Sequence, residues 1–475
     1  MLAQVKTAAL PLLLALSGCA APQPPTPHEP APAPLPPPPS PAASATAMAA
    51  PPPLEVTSIV FIEDDYARAL AEARARHLPL FVDAGATWCH TCLSMKSYVF
   101  PDPALRALAS RFVWLSIDTE REENAPLVSR LAVRALPTLY VIEPASERAV
   151  VAWPGSLTAP ELAELLEDAE LATKRGDVGG EATVELLRGH QASATGNIEE
   201  AIAAYRAALA AAPAGWPRRA QAVDALVTHL ADDKQLAACV TLGADEAPAL
   251  PPGTALADVL RAAIGCAEDL PRSAPERARL AELATLGERV ATDLGQPILA
   301  DDRSDLYDFV VHAMRERPGG DRGEAVKRVA RAWAAFLEDQ ASSAPSPAAR
   351  AVFDAHRLLA YVALGEPARA VPMLEQSERD FPADYNPPTR LARALLLTGR
   401  YGEALAALNR ALERGYGPRK LTLWALQADI LEAQKDRAGA RRALEQALAY
   451  AKTIPLTGGY PHLRDALEKR LATLR

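Results

Sequence analysis

The sequence predicts two folded units in series, an α/β domain over residues 54–172 and an all-α helical solenoid over residues 180–475. Between Leu54 and Leu171, short apolar runs alternate with amphipathic helical stretches, as when helices pack around one sheet. Beyond Gly176 the strand signals fade, and Ala and Leu recur at helical spacing. Alanine returns at 370, 404 and 440, steps of about 34 to 36 residues, as the period of a repeated pair of helices requires.

The composition agrees. A chain of 475 residues is too long for one core, and 49% hydrophobic with 23% charged residues is the balance of a folded protein. The net charge of −9 and the lack of a Lys/Arg cluster exclude nucleic acid as a partner. Only 5% of residues are aromatic, so helix contacts must lean on Ala and Leu.

The chain starts with a short basic segment, Met1–Lys6, and an apolar run, Thr7–Leu16, too brief to span about 30 Å of hydrocarbon as a helix. Residues 1–19 therefore read as an export signal. Leu16-Ser17-Gly18-Cys19 resembles the lipobox of bacterial lipoproteins, which implies that Cys19 is lipidated and anchors the protein in a membrane. Ala20 after the cysteine then implies the outer membrane of a Gram-negative envelope, with the folded part facing the periplasm. The alternative is an ordinary signal peptide cut near Ala20 or Ala21. Residues 20–53 are rich in Pro and Ala, with Pro36–Pro39 uninterrupted; they read as a spacer reaching up to roughly 100 Å in extended form or, alternatively, a proline-rich ligand for an aromatic groove.

In the α/β domain, Ser58–Ile62 reads as a strand and Asp64–Arg76 as a helix capped by Asp64 or Asp65. Leu80–Ala84 is the next strand and runs into the dithiol. Asp102–Ser110 continues helically, Phe112–Ile117 is a strand, and Ala125–Leu131 is a helix. Leu139–Ile142 and Val150–Trp153 are strands, and Thr158–Glu170 is the closing helix, with Thr158 as N-cap and Pro160 in its first turn.

The chemistry sits where strand becomes helix, in Trp88-Cys89-His90-Thr91-Cys92. A helix start offers unpaired N–H groups and the positive end of a dipole, both favouring Cys89 as the thiolate that attacks disulfides. Cys92, one turn deeper, can resolve the mixed disulfide. Asp83 lies on a strand that must be buried, so its pKa should rise. Covalent haem attachment would need His, not Leu93, after the second cysteine. A zinc site would need ligands this domain lacks, so no metal and no cofactor beyond the Cys89–Cys92 couple is expected.

With Asp83, Trp88 and Leu136-Pro137-Thr138, this stretch resembles the thioredoxin family. With Phe100-Pro-Asp-Pro-Ala-Leu it is most similar to the C-terminal domain of the DsbD-type thiol:disulfide interchange proteins. The resemblance implies that Asp83 accepts the proton of Cys92 and that Pro137 follows a cis bond beside the sulfurs. It also implies that the backbone of Leu136 aligns a client strand and that Gly155 lies near the same groove. His90 departs from the Gly-Pro of thioredoxin and should make the couple more oxidising. Gly85 in place of an aromatic residue and Leu93 in place of a basic one are further departures.

In the helical half, Gly189, Gly196, Ala201, Tyr205, Ala208 and Pro213 fall at tetratricopeptide spacing. The pattern returns at Gly365, Ala370, Leu374 and Pro382, then Gly399, Ala404, Leu408 and Ala411, then Trp424, Ala440, Leu444 and Ala447. Between residues 216 and 346 the period is lost, with breaks at Pro251-Pro252-Gly253 and Pro318-Gly319-Gly320. Cys239 and Cys266 fall on neighbouring helices there, as a structural disulfide or as buried thiols. His312, His356 and His462 read as packed or solvated helix residues rather than ligands.

Together these features predict an envelope-anchored thiol-disulfide oxidoreductase whose repeats recruit client proteins or another peptide or protein ligand. It needs a membrane electron donor to act as a reductase or a re-oxidant to act as an oxidase. The alternative is a non-catalytic scaffold that uses both units for binding.

Overall fold

The computed structural model describes residues 58–131, 133–173, 180–316, 322–457 and 460–474. The leader with Cys19, the Pro/Ala-rich tether and the break at Pro318-Gly319-Gly320 lie outside the described residues.

Strands β1 (Phe61–Glu63), β2 (Leu80–Gly85), β3 (Val113–Asp118), β4 (Thr138–Glu143) and β5 (Arg148–Pro154) form one sheet in the order β1-β3-β2-β4-β5. β3 runs parallel to β1 and β2, whereas β4 is antiparallel to β2 and β5. Four helices flank it: α1 (Tyr66–Arg76), α2 (His90–Ser94, continuing as a π-helix through Val99), α3 (Ala125–Arg130) and α4 (Ala159–Thr173).

Because side chains alternate along a strand, Leu80, Val82 and Ala84 of β2 pack with Ala69 and Ala73 of α1 and Leu127 of α3. Phe81 faces the other way, with Met95, Val99 and Leu162. The same alternation turns Asp83 toward the α2 face.

Local chemistry settles the ends. The Asp65 carboxylate caps α1 by accepting the Arg68 N–H at 2.9 Å, whereas Asp64 takes a left-handed φ of 54° and accepts the Asp118 N–H at 2.7 Å. Thr158 and Glu161 form a reciprocal capping box: Glu161 accepts the Thr158 N–H at 2.8 Å, and Thr158 Oγ1 accepts the Glu161 N–H at 3.4 Å. Residues 103–108 tighten into a 3-10 helix.

The helical half begins with α5 (Glu181–Ala194) and α6 (Ile198–Ala211). A methyl group on Gly189 would come within 2.3 Å of the Tyr205 ring, so the two helices pack this closely only because residue 189 has no side chain. Next come α7 (Arg219–Asp232), α8 (Leu236–Glu246), α9 (Thr254–Asp269), α10 (Leu280–Thr292), α11 (Ala300–Glu316) and α12 (Arg322–Ser343). Their lengths range from 11 to 22 residues, which is why no fixed period survives there. Then follow α13 (Pro347–Ala351), α14 (Asp354–Leu364), α15 (Ala370–Asp380), α16 (Asn386–Leu397), α17 (Tyr401–Arg414), α18 (Lys420–Ala433), α19 (Arg437–Ala451) and α20 (Tyr460–Thr473). Ala370, Ala404 and Ala440 are each fully buried, as contact points between helices must be.

The two units are not separate bodies on a string. α5 packs on β5, and Phe81, Trp114 and Trp153 of the sheet share one apolar core with Leu186 and Tyr205 of the solenoid. α11 and α13 meet α2 itself. Solenoid surface that the sequence offered to outside ligands is thus used, in part, to hold the chain's own α/β domain.

Candidate active site

Cys89 ends the loop after β2 and caps α2, and its Sγ accepts the Cys92 N–H at 3.0 Å. The two sulfurs form a disulfide. The Leu136–Pro137 peptide is cis, and Gly155, at a φ of +107° that suits glycine, donates its N–H to the Pro137 carbonyl at 2.8 Å.

Asp83 has no solvent exposure. Its Oδ2 accepts the Ser116 hydroxyl at 3.2 Å and lies 4.0 Å from Lys96 Nζ, while its Oδ1 has no hydrogen-bond partner. Burial pushes the carboxyl up, against the pull of Lys96 and Ser116. Gly85 explains how sulfur and carboxylate come together. A methyl group there would lie 3.2 Å from Cys92 Sγ and 3.9 Å from Asp83 Oδ1, so a larger residue would fill the space they share.

His90 turns away from its own domain. Its Nδ1 lies 2.8 and 2.9 Å from the two Asp301 oxygens at the start of α11. His356 Nε2 of α14 approaches the same Asp301 Oδ1 at 2.8 Å and His90 Nδ1 at 3.1 Å. Burial pulls the His90 imidazolium down, but Asp301 and Asp305 outweigh it and raise its pKa to about 9. Burial alone would push Asp301 up; the adjoining His90 and His356 rings hold it well below the usual carboxylate range. His90 is therefore a cation at neutral pH, but one paired with a buried anion.

These three groups would also be close enough to share a metal ion, their donor atoms lying within 4.8 Å of one another. Hydrogen bonding among them already accounts for the spacing. By sequence His356 is a packed or solvated helix residue; it is buried, but against the active-site histidine. No spacing rule could pair residues on α2, α11 and α14.

The loop before the dithiol is clamped as well. Thr87 meets the hydroxyls of Tyr385 and Tyr416, and its carbonyl accepts the Asn386 side-chain N–H at 3.2 Å. The Trp88 indole donates to Glu120 at 2.9 Å, and the Arg419 guanidinium stacks over its ring at 4.3 Å. Glu120 also accepts the Tyr460 hydroxyl at 2.7 Å and the Arg419 N–H at 2.8 Å. Burial pushes Glu120 up, and these donors pull it back. Cys89 is in consequence only 4% exposed and Cys92 2%, where a reactive thiolate on an open domain would be freely reachable.

Thr91, Leu136 and Gly155 line one end of a cavity of about 870 Å³ that continues along α7, α9 and α11. Cys239 of α8 and Cys266 of α9 form a second disulfide, and Cys266 lines the same cavity.

Residues 62–144 match the thioredoxin-like family model, and residues 186–214 and 361–430 match tetratricopeptide repeat models. The chain thus carries a thioredoxin-like domain joined to tetratricopeptide repeats. Among curated proteins it is similar to the thiol:disulfide interchange protein DsbD from two strains of Vibrio vulnificus, 32% identical over 78 residues. That match covers 16% of this chain and 13% of each relative. Among solved structures, a tetratricopeptide repeat protein from Parabacteroides merdae aligns with 61% of this chain and 100% of its own, at 12% identity and a TM-score of 0.36. The TPR2AB domain of yeast Sti1, solved in a pHSP90 complex, aligns with 61% of this chain and 98% of its own, at 16% identity and a TM-score of 0.23.

Proposed function

We propose that the protein is a thiol-disulfide oxidoreductase of the cell envelope, tethered by a lipid on Cys19 to the periplasmic side of the outer membrane through the Pro/Ala-rich segment. One observation carries the catalytic part: Cys89 Sγ sits at a helix start accepting the Cys92 N–H, while Cys92 Sγ and the fully buried Asp83 border the same space beside Gly85.

In the reducing direction the Cys89 thiolate attacks a client disulfide, and one client sulfur leaves as thiolate. Cys92 gives its proton to Asp83 and attacks Cys89 Sγ. The second client sulfur then departs and takes the proton held by Asp83, the first client thiolate takes its proton from water, and the Cys89–Cys92 bond re-forms, so that two electrons pass to the client. The oxidising direction is the reverse. Leu136 and Pro137 align the client strand, Gly155 shapes the groove and Trp88 and Thr91 frame it. The couple itself carries the electrons without a further cofactor, and a membrane-bound dithiol donor or a re-oxidant resets it. Among the described residues no helix is long and apolar enough to cross a membrane.

The burial of Cys89 supports a second reading, a scaffold whose docked redox domain is idle. Turnover of 2-hydroxyethyl disulfide by the full chain, abolished in Cys89→Ser, supports the first reading; equal rates for the two proteins leave the scaffold. Cys92→Ala should trap clients as mixed disulfides.

A further inference from the structure

The cavity that opens beside Thr91 and Leu136 is not charge-balanced. Arg261 of α9 lies in the field of four carboxylates, Asp258, Asp305, Asp224 and Asp302, from three helices. Its Nε is 3.3 Å from Asp258 Oδ1. One guanidinium against four carboxylates leaves an excess of negative charge, which Lys234 and Arg277 on the same lining do not offset, because Asp232, Glu268, Asp269 and Glu316 line the cavity too. Asp302 makes the deficit concrete. It is 3% exposed, and its Oδ1 accepts the Ser156 hydroxyl at 2.6 Å, but its Oδ2 has no hydrogen-bond partner. Burial, with repulsion between the acids, pushes Asp224 and Asp302 up and raises Asp258 to about 6, so the cluster holds its protons until a cation offsets the charge.

The position of this deficit says what would fill it. Ser156 follows Gly155 in the groove beside the cis peptide, so the acid and the groove are joined by one hydrogen bond. At about 870 Å³ the space suits an organic ligand rather than a bare ion, since such sites run to roughly 300–1,000 Å³. An extended chain advances about 3.3 Å per residue, so a segment paired at Leu136 would carry its next side chains into the cavity.

Resting on the oxidoreductase reading above, we infer that the cavity selects client segments carrying Lys or Arg a few residues from the reacting cysteine, the cation taking Asp302 and its neighbours as partners.

Two peptides of equal length test this, one with Lys and one with Glu flanking a cysteine capped by 2-mercaptoethanol as a neutral mixed disulfide. The full-length protein should favour the Lys peptide in kcat/KM by about ten-fold or more at low ionic strength, with the ratio shrinking as salt is added. Asp302→Asn and, as a more exposed second site, Asp305→Asn should each lower that ratio within the same preparation. A ratio within about two-fold of unity in the wild type, at low salt, overturns the inference. Fluorescence anisotropy with the same peptides lacking cysteine separates binding from chemistry. If the Lys peptide binds selectively but 2-hydroxyethyl disulfide is not turned over, the cavity assignment stands and the oxidoreductase reading falls. If that disulfide is turned over but both peptides bind alike, only the cavity assignment falls.

Discussion

Nδ1 of His90 lies 2.8 Å from Oδ1 of Asp301, a residue 211 positions further along the chain. This buried pair ties the dithiol helix to the solenoid, and its charge state sets how firmly. The His90 pKa is raised to about 9, so the stability the pair contributes is fully present below about pH 6.5, the unfolded value, and is lost as pH rises through about 9. Protection against hydrogen exchange in α2 and α11, taken relative to the intrinsic base-catalysed rate, should fall together over that window in the wild type, and His90→Gln should remove that fall. Protection that is flat with pH in the wild type would contradict the pairing.

Asp301→Ala leaves two histidines facing each other without their anion. Breaking a buried pair by deleting one partner costs about 3–5 kcal/mol. We expect a loss of that order in urea unfolding, together with faster reduction of the Cys89–Cys92 disulfide by a small phosphine as the cover loosens. If reduction is no faster than in the wild type, the His90–Asp301 pair does not guard the sulfurs.

The His90 cation should stabilise the Cys89 thiolate of the reduced form and so raise the reduction potential. His90→Gln is expected to lower it by roughly 30 mV, equivalent to about 1.4 kcal/mol for a two-electron couple, as read by equilibration with a glutathione redox series. The effect should stay modest, because Asp301 neutralises the cation.

Asp83→Asn keeps the shape of β2 and removes the proton acceptor. General base catalysis is worth about 10²–10⁴-fold, so resolution of a pre-formed mixed disulfide should slow by at least about a hundred-fold while Cys89 still attacks. Stopped-flow tryptophan fluorescence beside Trp88 follows both steps. Equal slowing of both would point to a structural role instead.

Gly189→Ala places a methyl group where the Tyr205 ring lies 2.3 Å away, and overpacking of this kind costs about 1–3 kcal/mol. The Cys239–Cys266 bond closes a segment with a sequence separation of 27, so Cys239→Ala with Cys266→Ala should cost about 2–4 kcal/mol. Both are measurable by chemical denaturation, and a loss within error would mean the solenoid does not depend on that contact.

Within the thioredoxin-like domain nearly every element was legible from the sequence, because strands and helices there follow from neighbours along the chain. The alternation of β2 fixes which way Asp83 points, and Thr158 with Glu161 writes its own helix start. Gly85 was visible only as a departure from the family; the room it leaves for Cys92 and Asp83 required coordinates.

What the sequence determined by itself was therefore local: a dithiol at a helix start, a buried acid beneath it, and helices pairing at the period of Ala370, Ala404 and Ala440. The tertiary structure decided that Asp301, His356, Glu120 and Arg419 surround that dithiol, and that Asp224, Asp258, Asp302 and Asp305 share one cavity. Periodicity reports which face of a helix is buried. It cannot report against what, because contacts between residues hundreds of positions apart depend on how the whole solenoid curves back, and no local spacing encodes that.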